Sequence, residues 1–213
     1  MSNPKAAKAS KPKAAPEATP KAAAAGAKDL KSEAEAMFKM SDKELMDVLP
    51  SFVPKTKGKG PELLKAIPDL PQRLAQRLAK SDVKAWANNA PKASDAFTTY
   101  LWEITGAMVE KDPDLKSAVN SAGEIKVNYE ATDSPMKGHY HIWGGKIDGG
   151  PGVVTPTDLK LSSDTDTLIK LTTGALDATQ SFMAGKYKID GNLATAMKMA
   201  PVMAKIAAVY KGK

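Results

Sequence analysis

The stretch that decides the fold reads Thr173-Gly-Ala-Leu-Asp-Ala-Thr-Gln-Ser-Phe-Met-Ala-Gly-Lys-Tyr-Lys-Ile-Asp-Gly-Asn-Leu-Ala-Thr-Ala-Met-Lys-Met199. It holds almost no candidate catalytic chemistry and a dense run of structural punctuation. Gly174 stands where a helix should stop, Asp177 where the next should be capped, and Gly185 where that one should stop in turn. Lys186 to Ile189 reads as a short strand and Asp190-Gly191 as its turn. The Met- and Ala-rich run beyond it reads as a closing helix. Helix, short helix, strand and apolar helix in such close succession predict a wall around an apolar interior.

Working upstream, Asp164 to Thr172 reads as the helix that leads into this stretch, with Ser163 to Asp166 supplying capping chemistry. Val153-Val154 and Asp158 to Leu161 read as strands, and Gly144 to Gly152 as a glycine-rich hairpin loop. Gly138 to Trp143 reads as another strand. Ile125, Val127 and Tyr129 alternate with Lys126, Asn128 and Glu130, the period of a half-buried strand. Phe97, Leu101, Ile104 and Met108 fall on one helical stripe, so the main domain is expected to begin near Ser94. Asp112-Pro113 pairs a cap with a proline at the first helical position and opens a short helix over Leu115 to Val119. Strands in the middle with helices before and after make the class α+β.

The closing stretch resembles the sterol carrier protein type 2 lipid-binding family. The family pattern Thr-Gly-x-Leu-Asp, then Phe-x-x-Gly-Lys-x-Lys-Ile-x-Gly, then Ala-Met-Lys-hydrophobic is filled here in order. Its places are Thr173, Gly174, Leu176, Asp177, Phe182, Gly185, Lys186, Lys188, Ile189, Gly191, Ala196, Met197, Lys198 and Met199. The resemblance weakens upstream to about Ser94 and does not extend to the residues before it. It implies a mostly antiparallel five-stranded sheet with helices packed on one face, enclosing an apolar cavity between the layers. Family members bind sterols, fatty acids, acyl-CoA esters or phospholipids, with no covalent step. Peroxisomal members end in a Ser-Lys-Leu type tripeptide; this sequence ends Lys211-Gly212-Lys213, so peroxisomal import is not expected. Asn192-Leu193-Ala194-Thr195 replaces the family's usual small, Met- and Gly-containing run, a departure that bears on cavity shape.

Composition bounds the rest. The chain has 213 residues, 42% of them hydrophobic, and no cysteine, which excludes disulfides, thiolate nucleophiles and Cys-ligated metals. No apolar run approaches the ~20 residues needed to span a bilayer. The opening Met1-Ser-Asn-Pro-Lys has no apolar core of a secretory signal, so a cytoplasmic protein is expected. The net charge of +7 is concentrated in residues 1–28, where Lys5, Lys8, Lys11, Lys13, Lys21 and Lys28 face only Glu17. This Ala/Lys/Pro tail lacks the apolar side chains needed to offset ordering entropy and is expected to be disordered. It is either a solubilising tail or a transient contact for an anionic membrane surface; a nucleic-acid partner is not expected.

Residues 29–93 read as a helical extension. Leu30, Ala34, Met37 and Phe38 share a face, and Ser41 with Glu44 forms a capping box for a helix that Pro50 should end. Residues 54–60 read as a flexible basic linker. Leu70, Leu74 and Leu78 form one apolar stripe. Ser81-Asp82 caps a further piece that carries Trp86. The extension either packs on the main domain or docks a partner.

Catalytic and metal chemistry is not expected. His139 and His141 share a strand face, but no third ligand is evident and Tyr140 and Ile142 turn inward. Gly144 to Gly150 is followed by Pro151 rather than a helix, so it makes no phosphate cradle. No serine lies in a nucleophile elbow. No cofactor is implied. Met183, Met197, Met199 and Met203 are the positive signal, because flexible thioether chains suit a pocket for variable apolar shapes. The residues expected to face the cavity are Leu101, Ile104, Leu168, Leu171, Phe182, Met183, Met197 and Met203. The last helix, carrying Pro201, is the expected lid. The expected function is binding and transfer or presentation of a hydrophobic ligand. The alternative is a scaffold or accessory subunit that docks a partner enzyme or holds a lipophilic intermediate.

Overall fold

The computed structural model describes residues 20–212, with side chains from residue 29 onward. The expectation of disorder for residues 1–19, and the side chains of Lys5, Lys8, Lys11, Lys13, Lys21 and Lys28, lie outside the described residues. From Pro20 the chain is helical: α1 spans Pro20–Met37, so the expected boundary at residue 28 falls inside a helix.

Helix α2 (Asp42–Thr56) opens with the reciprocal box anticipated at Ser41: its hydroxyl accepts the Glu44 N–H, and the Glu44 carboxylate accepts the Ser41 N–H at 2.8 Å. It does not end at Pro50 but runs through Pro50 and Pro54. Both prolines lie on the exposed side, where water can satisfy the carbonyls they leave unpaired. Opposite them Leu49, Phe52 and Val53 are buried, and burial at about 1.5–3 kcal/mol per side chain outweighs the proline penalty. The expected linker is likewise structured. The Thr56 hydroxyl donates to the Glu103 carboxylate at 2.9 Å. Helix α3 (Gly60–Ala66) begins so close to its neighbour that a Cβ on Gly60 would sit 2.8 Å from that of Ala107. Helices α4 (Leu70–Leu78) and α5 (Val83–Asn89) bury the Leu70/Leu74/Leu78 stripe and Trp86.

Helix α6 (Pro91–Lys111) is the axis of the molecule, and Ser94, near which the main domain is expected to begin, lies in its first turn. Its buried side chains occupy most of its circumference, Phe97, Tyr100, Leu101, Trp102, Ile104 and Met108 among them, and leave one exposed stripe through Lys92, Asp95, Thr99 and Glu110. The N-terminal helices cover one side of it and the sheet the other. One continuous core therefore runs from Leu30 to Tyr210, and residues 29–93 contribute to it. Helix α7 (Pro113–Ala122) follows, capped by Asp112 as anticipated.

Strands β1 (Ile125–Ala131), β2 (Lys137–Trp143), β3 (Lys146–Pro151) and β4 (Leu159–Ser163) lead to α8 (Thr165–Thr172), α9 (Ala178–Met183), β5 (Lys188–Gly191) and α10 (Leu193–Lys211). The sheet order is β3-β2-β1-β4-β5. Three pairings are antiparallel and β1–β4 is parallel, so the sheet is mixed rather than purely antiparallel. The glycine-rich segment anticipated as a hairpin loop is strand β3, with only Gly144-Gly145 left to turn. Val153-Val154, anticipated as a strand, is a loop because a side chain satisfies its backbone. The Asn128 amide accepts the Val154 N–H and donates to the Val154 carbonyl, each at 2.9 Å. Asn128→Ala should unpin that loop and cost about 1–2 kcal/mol; chemical denaturation of the variant checks this.

One expectation about length also changes. Helix α10 is long and apolar enough to match a membrane span by composition. Its Val202, Ile206 and Tyr210 are nevertheless buried in the core, and the Tyr210 hydroxyl lies 2.9 Å from that of Thr105 on α6.

Candidate functional site

The register of the sheet places Val127 and Tyr129 of β1, Tyr140 and Ile142 of β2, Leu159 and Leu161 of β4 and Ile189 of β5 on one face. Helices α6, α8, α9 and α10 lie over this face. Between the layers a cavity of about 210 Å³ remains. Its floor is aromatic: Trp102 stacks on Tyr140 with ring centroids 4.7 Å apart, and the Trp102 indole donates to the Tyr129 hydroxyl at 3.1 Å.

This cluster exists because β2 and β3 supply glycine where the rings must pass. A Cβ on Gly138 would overlap the Tyr129 ring, and one on Gly149 would sit 2.7 Å from Trp102 Cγ. Tyr140 and Gly149 are cross-strand partners, so the bare position lies beside the ring that Trp102 covers. The anticipated loop glycines are thus sheet positions that make room for the cavity floor.

The walls are Leu161 and Ile189 from the sheet, Leu168 and Leu171 from α8, Ala178 and Phe182 from α9, and Ala196, Met197, Met199, Ala200 and Met203 from α10. No charged side chain lines it among the described residues. Burial raises the Tyr129 hydroxyl to about 12 and pushes Tyr140 higher still, so both stay neutral at any physiological pH. The Tyr140 hydroxyl donates to the Met199 sulfur at 2.7 Å. A thioether is a weak acceptor, so this donor is free to prefer an oxygen atom. The mouth is apolar as well, with Phe182, Leu193 and Met197 at 43%, 62% and 70% exposure.

Residues 105–204 match the SCP-2 sterol transfer family. That stretch, just under half of the chain, is an SCP2 domain by its family match. A mouse relative, "Hydroxysteroid dehydrogenase-like protein 2", is 38% identical over 63 residues, which is 30% of this chain but 13% of that protein. The chain thus matches only a small part of that relative's length. Among solved structures, sterol carrier protein 2 from Yarrowia lipolytica is 18% identical with a TM-score of 0.40, covering 56% of this chain and 94% of that one. A "UbiJ-SCP2 Ubiquinone synthesis protein" is 13% identical with a TM-score of 0.43, covering 51% and 89%. A sec-alkylsulfatase from Pseudomonas sp. is 13% identical with a TM-score of 0.40, covering 83% and 32%.

Within the SCP-2 domain the family motif has a local physical reading. Gly174 ends α8 with φ of 73°, and a Cβ there would lie 2.6 Å from that of Ala207. It is therefore both a left-handed stop and the seat on which α10 rests. Asp177 accepts the Gln180 N–H at 2.8 Å to cap α9, and Asn192 accepts that of Ala194 at 2.8 Å to cap α10. The Tyr187 hydroxyl donates to the Ala178 carbonyl and ties β5 back to α9.

Of the residues expected at the cavity, Leu168, Leu171, Phe182, Met197 and Met203 line it. Leu101 and Ile104 do not. Helix α6 presents Trp102 instead, about one residue's rotation away. Leu101 faces Val83, Trp86 and Leu168 in the packed region on the other side, and Ile104 is wholly enclosed in the core. A single stripe supposes one narrow buried face, whereas α6 is buried over most of its circumference. Met183 also falls outside, at 82% exposure, because α9 is a single short helix with one face available to the cavity. Trp102, Tyr129 and Tyr140 were missed as lining residues. The signal that reveals them is the pair of glycines in strand register opposite the inward-pointing tyrosines.

His139 and His141 lie on the outer face of the sheet. His139 Nδ1 is 3.1 Å from the Gly152 carbonyl, while His141 stacks on Trp143 and meets the Glu124 carboxylate at 3.1 Å. No cluster of three potential metal ligands occurs among the described residues.

Proposed function

We propose that the protein binds a hydrophobic molecule in the SCP-2 cavity and transfers or presents it, without covalent chemistry. Sterols, fatty acids, acyl-CoA esters and phospholipids are the ligand classes in view. The observation that carries this reading is an uncharged, aromatic-floored cavity opening through an apolar rim. The family's description as sterol transfer proteins supports it.

The dimensions refine the expected binding mode. An engineered apolar cavity of ~150 Å³ stays dry and takes up benzene. At about 210 Å³ the cavity holds an apolar group somewhat larger than that, on the order of six to eight carbons. Enclosing these stabilises the complex by about 5–6 kcal/mol before ordering costs, so the enclosed part alone gives weak, exchangeable binding. A longer ligand enters apolar end first. A charged headgroup stays at the mouth, because nothing inside can pair with it. A single uncharged oxygen at the buried end is accommodated by the Tyr140 hydroxyl.

Extraction of the native protein followed by mass spectrometry tests the reading. Bound lipid in near-equimolar amount supports it. An empty, folded protein that co-purifies with an enzyme supports a scaffold instead. Entry of ligand also gives a kinetic prediction. The second half of α10 is anchored through Tyr210, while Leu193 and Met197 in its first half are exposed. Between them Pro201 cannot donate to the Met197 carbonyl, which weakens the helix where the lid must move. Pro201→Ala should slow release of a fluorescent fatty acid several-fold in stopped flow and raise stability by about 1 kcal/mol.

A further inference from the structure

The order of the sheet gives the cavity a direction. Its mouth lies at the β5 edge, where the Phe182 ring meets that of Tyr187, the residue leading into β5, and where Leu193 opens α10. Trp102 stacks on Tyr140 of β2, three strand spacings or about 14 Å away across the sheet. An apolar chain that enters at the mouth therefore advances towards the Trp102 indole.

Beyond that indole lies a second space. A groove of about 640 Å³ runs between α2, α6 and β3, with Pro50, Val53 and Pro54, Ala96 and Thr99, and Gly149 among its lining. Trp102 lines it too, and among the described residues it is the one residue common to groove and cavity. The partition is a single ring thick because glycine stands behind it: a Cβ on Gly149 would lie 2.7 Å from Trp102 Cγ. About one turn further along α6, a Cβ on Gly106 would lie 2.8 Å from the Ile147 carbonyl oxygen. Helix and edge strand thus press together at two bare positions, and the indole closes what gap remains. Its stack on Tyr140 and its 3.1 Å hydrogen bond to the Tyr129 hydroxyl hold it there.

We propose that Trp102 sets the length of apolar chain that the cavity encloses, as a stop at the end opposite the mouth. The inference rests on the ligand-binding reading and adds a specificity-determining residue to it. In the unmodified chain the leading carbons, on the order of six to eight, are enclosed and later methylenes stay at the mouth, so affinity levels off with chain length. With Trp102 cut back to alanine, the cavity joins the groove and the chain end continues between its prolines, valine and alanine. Each further methylene enclosed there adds about fourfold to affinity at most.

The test is titration of the full chain with octanoate and dodecanoate, alongside thermal unfolding of each variant. The ratio of dodecanoate to octanoate affinity should rise at least about tenfold in Trp102→Ala. Thr99 lies one turn before Trp102, in the groove and outside the cavity, so Thr99→Trp alone should leave the ratio unchanged. Combined with Trp102→Ala, it fills the groove and should return the ratio to that of the unmodified chain. A second measurement needs no folded alanine variant. Octanoate brominated at its terminal carbon should quench tryptophan emission of the unmodified chain more than octanoate brominated beside the carboxylate, and Trp102→Phe should abolish the difference. Trp86 and Trp143 lie outside the cavity and do not contribute to it. An unchanged ratio in folded Trp102→Ala, or equal quenching by the two bromides, overturns the proposal while octanoate binding by the unmodified chain keeps the ligand-binding reading. A raised ratio that Thr99→Trp fails to reverse overturns the groove as the space opened. If the unmodified chain binds neither fatty acid, the ligand-binding reading fails and the stop with it.

Discussion

Replacing Ala200 with phenylalanine is expected to remove ligand uptake while the protein stays folded. Ala200 lies on α10 and lines the cavity. A phenyl ring is the size of the guest that a ~150 Å³ apolar cavity accepts, so it occupies most of the 210 Å³ available here. The ligand loses the space in which it would gain about 0.8 kcal/mol per enclosed methylene. Affinity for a fluorescent fatty acid should fall more than about tenfold. Stability should move by no more than about 1–2 kcal/mol, because a void is being filled rather than a packed region overfilled. Titration and thermal unfolding of the same preparation check both halves. Unchanged affinity in a folded variant would mean that the ligand sits elsewhere.

The second large effect is on stability. Gly174→Val should cost about 2–6 kcal/mol, from two additive sources. A β-branched residue at φ of 73° is strained by about 1–3 kcal/mol. Its Cβ would also lie 2.6 Å from that of Ala207 and 2.8 Å from the Ala207 carbonyl oxygen, so α10 must lift away. Overpacking of that kind typically costs a further 1–3 kcal/mol or so. Against a typical total of roughly 5–15 kcal/mol this is a large fraction. Denaturant titration should show a midpoint shifted far down, and Gly174→Ala should fall between the two. A shift below about 1 kcal/mol for the valine variant would show that α10 is not seated on this turn.

These two expectations differ in how they are reached. Gly174 is recognisable from its neighbours in the chain, since a left-handed stop and the cap at Asp177 are set within a few residues. Ala200 is not, because its place at the cavity depends on how α10 rolls against α8 and the sheet. The same division runs through the molecule. The capping box at Ser41, the Leu70/Leu74/Leu78 stripe, the alternation in β1 and the Asp112-Pro113 start are all local and all appear where the spacing puts them. Pro50 was misread because its local rule is real but smaller than the burial of Leu49, Phe52 and Val53 on the opposite side of the helix. Val153-Val154 has strand composition, yet Asn128, distant in sequence, takes its hydrogen bonds. The cavity floor was hidden for a related reason: Trp102 belongs to one element and the glycine that admits it to another.

By itself the amino-acid order determined the α+β class, the caps and stops of the closing stretch, and the apolar character of the site. Each follows from interactions within about one helical turn or from side-chain alternation along a strand. Only the tertiary structure decided that β3 is a strand, that residues 29–93 share the core, that Trp102 rather than Leu101 faces the cavity, and that Met183 points to solvent. Those outcomes depend on which partner each surface meets, and a helix with apolar residues around most of its circumference does not encode which of them will be left lining a void.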